Sequence, residues 1–286
     1  MLNSLIPSLA DGLLLGLVYG LAAMGLSLIW GVMNVINLAH GAIMTLGMYG
    51  VYLIFSTFGL NPYIALLLVA VIGLAFGVIM YVVSVHRVID APHLSSLLAT
   101  FAVNMIIIGA GTAIYTTNVY NVDYSLDSFT IGTFTVPWTR VAAALGAMLV
   151  SGLLYLFLYR TRVGKYIRAV ANNRAAAELM GIPSSRVLAL SFGIGAMLAG
   201  IAGGLIATMF PFNILSGGAY QLKSFVIVVL GGLGNPLGAL IGGVILGLLE
   251  GAGTAILPTT WVPVLEFVLF VIILLVRPSG LLGTKR

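Results

Sequence analysis

The chain has 286 residues, of which 7% are charged and 61% are hydrophobic, and its 12 basic and 7 acidic residues come with no cysteine. A typical soluble protein has about 25% charged residues, so a soluble fold of this composition would lack the polar surface that water requires. The composition excludes a soluble enzyme, a disordered chain and a nucleic-acid-binding domain, and the absence of cysteine excludes disulfides and thiolate metal sites.

Long, continuous apolar runs indicate membrane-spanning helices. A transmembrane β-barrel would show segments of about 10 residues that alternate apolar and polar side chains. The runs at 62–84 and 264–276 show no such alternation, and a spanning helix takes about 20 mostly apolar residues. We therefore predict an all-α, polytopic integral membrane protein with about 8–9 transmembrane helices. We expect interrupted helices among them and a single domain over residues 1–286.

Nine membrane segments are predicted in chain order. Five precede a long basic stretch, at residues 9–29, 38–58, 62–84, 94–115 and 139–159. Three long segments follow it at 187–209, 236–257 and 261–276, together with a shorter one at 222–233. The shorter segment measures about 18 Å at about 1.5 Å per residue, against a hydrocarbon core of about 30 Å. It is therefore either a short buried helix or half of a broken one.

The basic residues predict which ends of the helices face the cytoplasm. Six of them lie in the stretch 160–186, which the positive-inside rule makes cytoplasmic. Arg277, Lys285 and Arg286 place the C-terminus on the same side, whereas the loop at 116–138 has two aspartates and no basic residue and should be external. Five crossings before the basic stretch put the N-terminus outside. A cytoplasmic C-terminus then requires the shorter segment to cross.

Two interruptions of the apolar pattern predict a substrate path. One is the stretch 30–41 in the first half of the chain, and the other is the glycine-rich turn at 231–238 in the second half. Unwound backbone is tolerated in a membrane beside protein or a water-filled cavity, and paired interruptions are typical of the binding site of a transporter. The candidate path residues are Asn34, Asn37, His40, Gly41, Gly231, Gly232 and Gly234.

These candidates also have a structural interpretation. An asparagine at the start of a helix can cap free backbone N–H groups, and His40 can bond a neighbouring helix. The chain has 36 glycines, many at spacings that favour close helix packing in lipid, with hinge or pore-lining flexibility as the alternative. Glu250 and Glu266 lie within or near predicted spans, where a carboxylate needs a partner helix or the membrane interface.

The basic stretch contains a predicted helix of two turns. Asn172 or Asn173 can cap it, its body covers 174–180, and Gly181 and Pro183 end it. So short a helix is unstable alone in water, so the membrane domain or a partner must hold it. The sharper interpretation is a docking helix for a soluble cytoplasmic subunit, and the plainer one is an ordinary cytoplasmic loop.

The chain lacks the motifs of an energy-converting enzyme. Its sequence has no Gly-x-x-x-x-Gly-Lys-Ser/Thr phosphate loop, no His-Glu-x-x-His motif and no cluster typical of metal ligands. Three histidines and seven acidic residues offer few candidates for acid–base chemistry. We therefore expect no catalytic and no metal site, with ATP hydrolysis on another chain if transport is energy-driven.

Four motifs carry a resemblance to a known family. They are NVINLAHG at 34–41, TRVGKYIRAVANN at 161–173 with AELMGI at 177–182, LAGIAGG at 198–204, and VLGGLGNPLGA at 229–239. In this order, and over essentially the whole chain, they resemble the branched-chain amino acid permeases of bacterial ABC importers, in particular the shorter of the two permeases. Leu38 stands where that family often has phenylalanine.

The resemblance implies a permease subunit in the bacterial inner membrane that passes leucine, isoleucine or valine delivered by a periplasmic binding protein. It implies a heterodimer with a second permease, two cytoplasmic ATPase subunits that bind ATP and Mg²⁺, and no cofactor on this chain. By this resemblance, residues 160–186 form the cytoplasmic coupling loop. The residues expected to contact the ATPase subunit are Arg168, Asn172, Arg174, Ala176, Ala177, Glu178 and Gly181. Urea, short amides or another small solute are alternative substrates. A stand-alone secondary transporter or channel is the alternative of a different class.

Overall fold

The computed structural model describes residues 2–131, 134–277 and 280–282. Lys285 and Arg286, on which the predicted orientation partly depends, lie outside these residues. Within them the first five helices are α1 (Leu2–Met33), α2 (His40–Phe58), α3 (Pro62–Met80), α4 (His93–Tyr115) and α5 (Trp138–Arg160). The other six are α6 (Arg162–Asn172), α7 (Arg174–Leu179), α8 (Ser184–Ala207), α9 (Gly217–Gly231), α10 (Pro236–Ile256) and α11 (Val262–Val276).

The prediction of an all-α, polytopic membrane protein is confirmed. Among the described residues, eight helices are long and apolar enough to cross a membrane, with mean hydropathies from 1.4 to 2.9. A π-helical turn, Tyr81–Val85, extends α3, and two strands, β1 (Ser128–Ile131) and β2 (Phe134–Pro137), form a small antiparallel hairpin. The remaining apolar helix, α9, has 15 residues and measures about 22 Å at about 1.5 Å per residue.

The first helix begins at Leu2 rather than at the predicted residue 9. Two further predicted boundaries also differ from the structure. α1 continues to Met33, so the first interruption occupies 34–39 and does not begin at residue 30. α9 begins at Gly217, five residues before the predicted start and in a polar stretch. Both differences have a tertiary cause, because a glycine contact holds each helix end. Gly31 of α1 lies against Gly234, and Gly217 of α9 lies against Gly41.

The helix α6 was missed by the sequence analysis, which took residues 160–173 as loop. Thr161 caps the helix by accepting a hydrogen bond from the backbone N–H of Gly164 at 3.0 Å. One face, formed by Gly164, Ile167 and Val170, is buried, while the basic side chains of Arg162, Lys165 and Arg168 are exposed. The high charge of the stretch suggested a loop, whereas its 3.6-residue periodicity indicates an amphipathic helix.

The helices α1 and α8 form the centre of the molecule, and 83% of each spanning window is buried within the chain. Glycines allow this close packing. A Cβ atom added to Gly16 of α1 would lie 2.7 Å from the carbonyl oxygen of Gly243 in α10. One added to Gly25 of α1 would lie 2.6 Å from that of Gly195 in α8. At these seams the prediction that glycine spacing serves helix packing is confirmed.

The two ends of the bundle differ in chemistry. At one end, here the tyrosine end, Tyr49 stacks on Tyr115 with ring centroids 4.3 Å apart, and Tyr120 pairs with Phe212 through two backbone hydrogen bonds of 2.8 and 2.9 Å. At the other, the basic end, lie α6, α7 and residue Asp90 of the α3–α4 loop.

The short helix α9 returns the chain from the tyrosine end to the basic end. Phe212, shortly before it, pairs with Tyr120. Gly234, shortly after it, lines a cavity together with Arg168 of α6. Residues 208–235 therefore traverse the bundle although α9 itself is short. An even number of traverses follows the basic stretch, as the predicted orientation requires.

Candidate functional site

The first interruption places two polar side chains in the interior. Asn37 and His40 are both fully buried, whereas Asn34 is exposed and has a left-handed backbone with φ of 52°. The Asn37 side chain accepts a hydrogen bond from the backbone N–H of Ala39 at 3.0 Å, just before α2 begins. The capping interpretation therefore accounts for the Asn37 oxygen.

Some polar atoms of these two residues lack a well-formed hydrogen bond. Within the described residues, Nδ2 of Asn37 makes none, and the His40 ring has only the backbone of Ala22 beside it, without good hydrogen-bond geometry. A buried polar group without a partner costs about 1–3 kcal/mol. Such groups are rare in folded proteins, and each calls for an explanation such as an unoccupied ligand position.

Two side chains from distant parts of the sequence hold the interruption in place. The hydroxyl of Thr100 in α4 accepts a hydrogen bond from the N–H of Leu38 at 3.2 Å. Its oxygen lies 3.1 Å from the carbonyl oxygen of Ile36, and equally far from those of Ser96 and Leu97 in its own helix. The side-chain oxygen of Gln221 in α9 accepts a hydrogen bond from the N–H of Gly41 at 2.8 Å. Movement of α4 or α9 is thereby coupled to the backbone at 36–41.

The second interruption is a glycine turn between α9 and α10. Gly232 and Gly234 have φ of 101° and 80°, which side chains with a Cβ rarely adopt. Gly231 packs directly on Gly238 of α10. Asn235 caps α10 by accepting a hydrogen bond from the N–H of Gly238 at 3.1 Å. The sequence motif at 229–239 is thus a tight helical hairpin.

The end of α1, just before the first interruption, contacts the second interruption. The start of α2, just after the first interruption, lies at the other end of α9. A Cβ atom on Gly31, near the end of α1, would lie 2.8 Å from the carbonyl oxygen of Gly234. Gly41 instead contacts Gly217, at the opposite end of α9. Asn37 and His40 therefore lie along α9, away from Gly231, Gly232 and Gly234. The candidate path residues form two groups rather than one.

An apolar cavity of about 240 Å³ lies between α2, α3 and α8. Its wall includes Ile43, Leu46, Val69 and Ile72, and Tyr49 contributes its ring. The hydroxyl of Tyr49 makes no hydrogen bond within the described residues. Apart from Tyr49 and Tyr115 the lining is apolar, and the cavity is open on the side of Leu46 and Ile72, which are 37% and 63% exposed.

The predicted two-turn helix at the basic end is confirmed as α7. Asn173, rather than Asn172, caps it by accepting a hydrogen bond from the N–H of Ala176 at 3.0 Å. Gly181 has φ of 79° and follows the helix at the position where a left-handed residue ends it. Ala177 is buried against the bundle, whereas Leu179 and Met180 are 89% and 82% exposed.

Polar contacts fix α7 to the rest of the chain. Arg174 donates to Asp90 at 2.9 Å and to Glu178 at 3.1 Å, and the hydroxyl of Ser184 donates to Glu178. The hydrogen bonds from Ser184 and Arg174 hold the pKa of the Glu178 carboxyl below its ordinary value. The helix is therefore tied to the α3–α4 loop on one side and to the start of α8 on the other.

The predicted coupling residues do not all lie on α7. Asn172 ends α6 and is exposed, as is Ala176. The Nε of Arg168 donates to the carbonyl oxygen of Leu158 at 3.1 Å, and its guanidinium carbon lies 4.5 Å from the ring centroid of Tyr159. The structure thus places Arg168 against the end of α5 and the other predicted residues on or beside α7.

The sequence analysis missed a charged cluster inside the bundle. The ammonium of Lys223 in α9 lies 2.6 Å from a carboxylate oxygen of Glu250 in α10 and 3.1 Å from one of Glu266 in α11. The ring centroid of Tyr19 in α1 lies 4.7 Å from the same ammonium. Lys223 stands in an apolar segment, where a cation requires a carboxylate partner. From this requirement, the sequence analysis could have predicted that Lys223 pairs with Glu250 and Glu266.

The chain is similar to known transport proteins. Residues 8–276 match the family described as branched-chain amino acid transport system, permease component. The high-affinity branched-chain amino acid transport system permease protein LivH of Salmonella typhimurium is 32% identical, with 96% of this chain and 94% of that protein covered. A probable branched-chain amino acid transport permease protein LivH of Methanocaldococcus jannaschii is 30% identical over 92% and 88% of the two chains.

One solved structure has a similar fold. It is PsaBC from Streptococcus pneumoniae in complex with Fab, which matches with a TM-score of 0.50 over 98% of this chain and 97% of that chain. The sequence identity is 16%, so the likeness concerns the fold.

Proposed function

The chain belongs to the family of permease components of branched-chain amino acid transport systems, and on that premise we propose that branched-chain amino acids cross the membrane through it. The family match over residues 8–276 carries this proposal. The chain is a multi-pass membrane protein, and it is the transport subunit of an ATP-driven importer. ATP and Mg²⁺ bind to separate ATPase subunits, and this chain binds no cofactor and performs no catalysis.

The exposed tip of α7 supports docking of an ATPase subunit. Leu179 and Met180 are large apolar side chains that contact almost nothing within this chain. Burial of such a side chain contributes about 1.5–3 kcal/mol, so a partner with an apolar groove would bind them favourably. The capped ends and buried Ala177 hold the tip in a defined position, which lowers the entropic cost of docking.

Movement of α7 would reach the first interruption through two routes. Glu178 bonds Ser184, the first residue of α8, and α8 packs on α1, α2 and α3. Arg174 pairs with Asp90 just before α4, and Thr100 of α4 bonds the backbone at 36–38. Closure of the ATPases would therefore shift the backbone around Asn37 and alternate access to the path.

The path itself would be largely apolar with a few polar contacts. The unpaired Nδ2 of Asn37 can donate to an amino acid carboxylate, and a neutral His40 ring can bond either end of the zwitterion. The apolar cavity between α2, α3 and α8 suits the branched side chain. Tight binding here would slow release, so affinity should be weak and a periplasmic binding protein should set specificity.

We place the chain in a bacterial inner membrane with the N-terminus outside and the C-terminus in the cytoplasm. Two ATPase subunits would bind at the basic end, and a second, longer permease would complete a heterodimer. The exposed face of α4 supports such an interface, because Gly109, Ala110 and Ala113 are small and exposed. Small residues allow transmembrane helices of two subunits to approach closely.

Docking is tested by the double substitution Leu179→Asp and Met180→Asp in the assembled transporter. Because both side chains are exposed, the permease should fold and insert normally. The charged tip should no longer enter an apolar groove, so ATPase subunits should be lost on purification and uptake of leucine should fall more than tenfold. Co-purification and uptake of labelled leucine are the two measurements.

Val119→Asp is the control, because it also places an aspartate at an exposed apolar residue, here one that is 68% exposed at the tyrosine end. It should retain the ATPase subunits. Retention by the α7 variant would disprove the docking assignment. Transport by the purified chain alone in liposomes, without ATPase subunits, would instead establish a secondary transporter or channel.

A further inference from the structure

A cavity of about 300 Å³ opens at the basic end, between the ends of α1 and α5, helix α6 and the α9–α10 turn. Arg168, Tyr155 and Tyr159 supply its polar and aromatic side, and Leu28, Val32 and Leu237 supply an apolar side. It lies away from the exposed tip of α7 and does not include Asn37 or His40. Its combination of a cation with an apolar wall is that of an amphiphilic ligand site.

Arg168 lines this cavity, and Arg160, Arg162 and Lys165 are close to it in the sequence. All four are exposed, and no carboxylate of the described residues forms an ion pair with any of them. Among the other described cations, Arg140, Arg174 and Lys223 are paired, whereas Arg87, Arg186 and Arg277 are not. The four residues carry a local positive charge that an anion can neutralise.

The guanidinium of Arg168 is held in place, but some of its hydrogen-bond donors have no acceptor among the described residues. Its Nε donates to the carbonyl of Leu158, and its plane lies over the ring of Tyr159. Within the described residues its two terminal NH₂ groups make no hydrogen bond, and Arg168 is one of the residues that line the cavity. Guanidinium groups bind phosphate oxygens in pairs, so this geometry fits a phosphate group.

The surrounding elements lie at a membrane surface. Helix α6 follows the spanning helix α5 directly and is amphipathic, with buried Ile167 and Val170 opposite its exposed basic residues. Tyr155 and Tyr159, with ring centroids 4.5 Å apart, occupy the last turns of α5. Tyrosines are enriched where a spanning helix meets the headgroup region.

We propose that this cavity binds the phosphate headgroup of an anionic phospholipid from the leaflet at the basic end. Arg168 contacts the phosphate, and the apolar wall of Leu28, Val32 and Leu237 accepts the upper part of an acyl chain. Basic pockets between spanning helices on the cytoplasmic side are suited to anionic headgroups. Free phosphate would use the cations alone and leave the apolar wall uncovered.

The test titrates the purified full-length chain in zwitterionic detergent with phosphatidylglycerol, phosphatidylcholine or inorganic phosphate, with bound lipid counted by native mass spectrometry. Phosphatidylglycerol should bind at least tenfold tighter than phosphatidylcholine, and inorganic phosphate at equal concentration should not displace it. Arg168→Gln should remove this preference. Equal binding of the two lipids, or full displacement by inorganic phosphate, would overturn the proposal.

A second variant guards against a folding defect in Arg168→Gln. Arg162→Gln combined with Lys165→Gln alters exposed side chains that have no acidic partner, so the fold should be unaffected. Because neither side chain lines the cavity, this variant should lose less phosphatidylglycerol affinity than Arg168→Gln does. Arg186→Gln, an exposed cation at the start of α8, should leave binding unchanged. An equal loss in both variants would show non-specific charge attraction and contradict a defined site.

Discussion

At the scale of single residues, the chain tolerates charge inside the bundle where partners neutralise it. Lys223 has a side chain that is 17% exposed, and its partners Glu250 and Glu266 are 20% and 5% exposed. Because the three residues belong to α9, α10 and α11, their attraction holds the short helix against its two neighbours. The cluster of Lys223, Glu250 and Glu266 therefore stabilises the packing of α9 against α10 and α11.

Lys223→Met should destabilise the protein because it leaves two carboxylates close together without their cation. Removal of one partner from a buried ion pair costs about 3–5 kcal/mol. We expect a lower midpoint of thermal unfolding in detergent. Lys223→Met combined with Glu250→Gln and Glu266→Gln should recover most of the loss, since no unpaired charge then remains.

Lys165→Met is the control for that experiment, because it removes an exposed lysine that has no acidic partner among the described residues. Its unfolding midpoint should match that of the unaltered protein. An unchanged midpoint for Lys223→Met, or a failure of the triple variant to recover, would contradict the proposed stabilisation of α9.

Residue identity alone predicted some contacts of the site and not others. Local ones were predictable: an asparagine cap begins α7 and Gly181 ends it, since both depend on backbone conformation within a few residues. The contacts of Thr100 and Gln221 with the first interruption were not predictable. They join residues that are 62, 64 and 180 positions apart, and no local pattern encodes such a pairing.

At the scale of helices, glycine seams decide which helices become central. The contacts of Gly16 with Gly243 and of Gly25 with Gly195 bring α10 and α8 to backbone distance of α1. Lipid tails are as apolar as the side chains, so the burial of an apolar side chain between two membrane helices gains little. Close packing of the helix backbones is therefore a main source of helix association. The seams therefore explain why α1 and α8 are buried while α4 and α11 are mostly exposed.

Gly16→Val should disrupt the α1–α10 seam, because its side chain would meet the backbone of α10, which cannot move aside as a side chain can. Overpacking of a core costs about 1–3 kcal/mol, and a rigid backbone neighbour favours the upper end. The yield of monodisperse protein on size-exclusion chromatography and the thermal midpoint should both fall.

Gly152→Val makes the same change in α5, where a Cβ atom would meet nothing within 4 Å. This variant should behave like the unaltered protein. If both variants behave alike, glycine packing at the seam is not what stabilises α1 against α10.

At the scale of the whole molecule, α9 and the preceding segment decide the topology. The eight long helices by themselves are even in number, so they would return the chain to the side on which it began. The traverse of the bundle by residues 208–235 predicts a ninth crossing, which would place the start of α1 and Arg277 on opposite sides of the membrane. The basic stretch and Arg277 then share one side.

This topology is testable by labelling, because the native chain has no cysteine. Pro211→Cys and Leu233→Cys place single exposed thiols on either side of α9. A membrane-impermeant maleimide added to intact cells should label Pro211→Cys, and Leu233→Cys should react after the membrane is opened.

Val119→Cys and Leu179→Cys calibrate the two sides, since they lie at the tyrosine end and the basic end respectively. Labelling of Pro211→Cys and Leu233→Cys from the same side would show that the segment does not cross. The predicted orientation would then fail for one terminus.

The sequence by itself determined that this is a helical membrane protein, the approximate extent of its long helices, the basic end and the short helix α7. These properties follow from hydropathy, charge and local capping, which act within about 20 residues. The tertiary structure alone decided that one face of α6 is buried, that residues 208–235 run from the tyrosine end to the basic end, and that the candidate path residues form two groups. The physical reason is that each depends on contacts between distant segments: a buried face of α6, the glycine contacts at both ends of α9, and the bonds from Thr100 and Gln221.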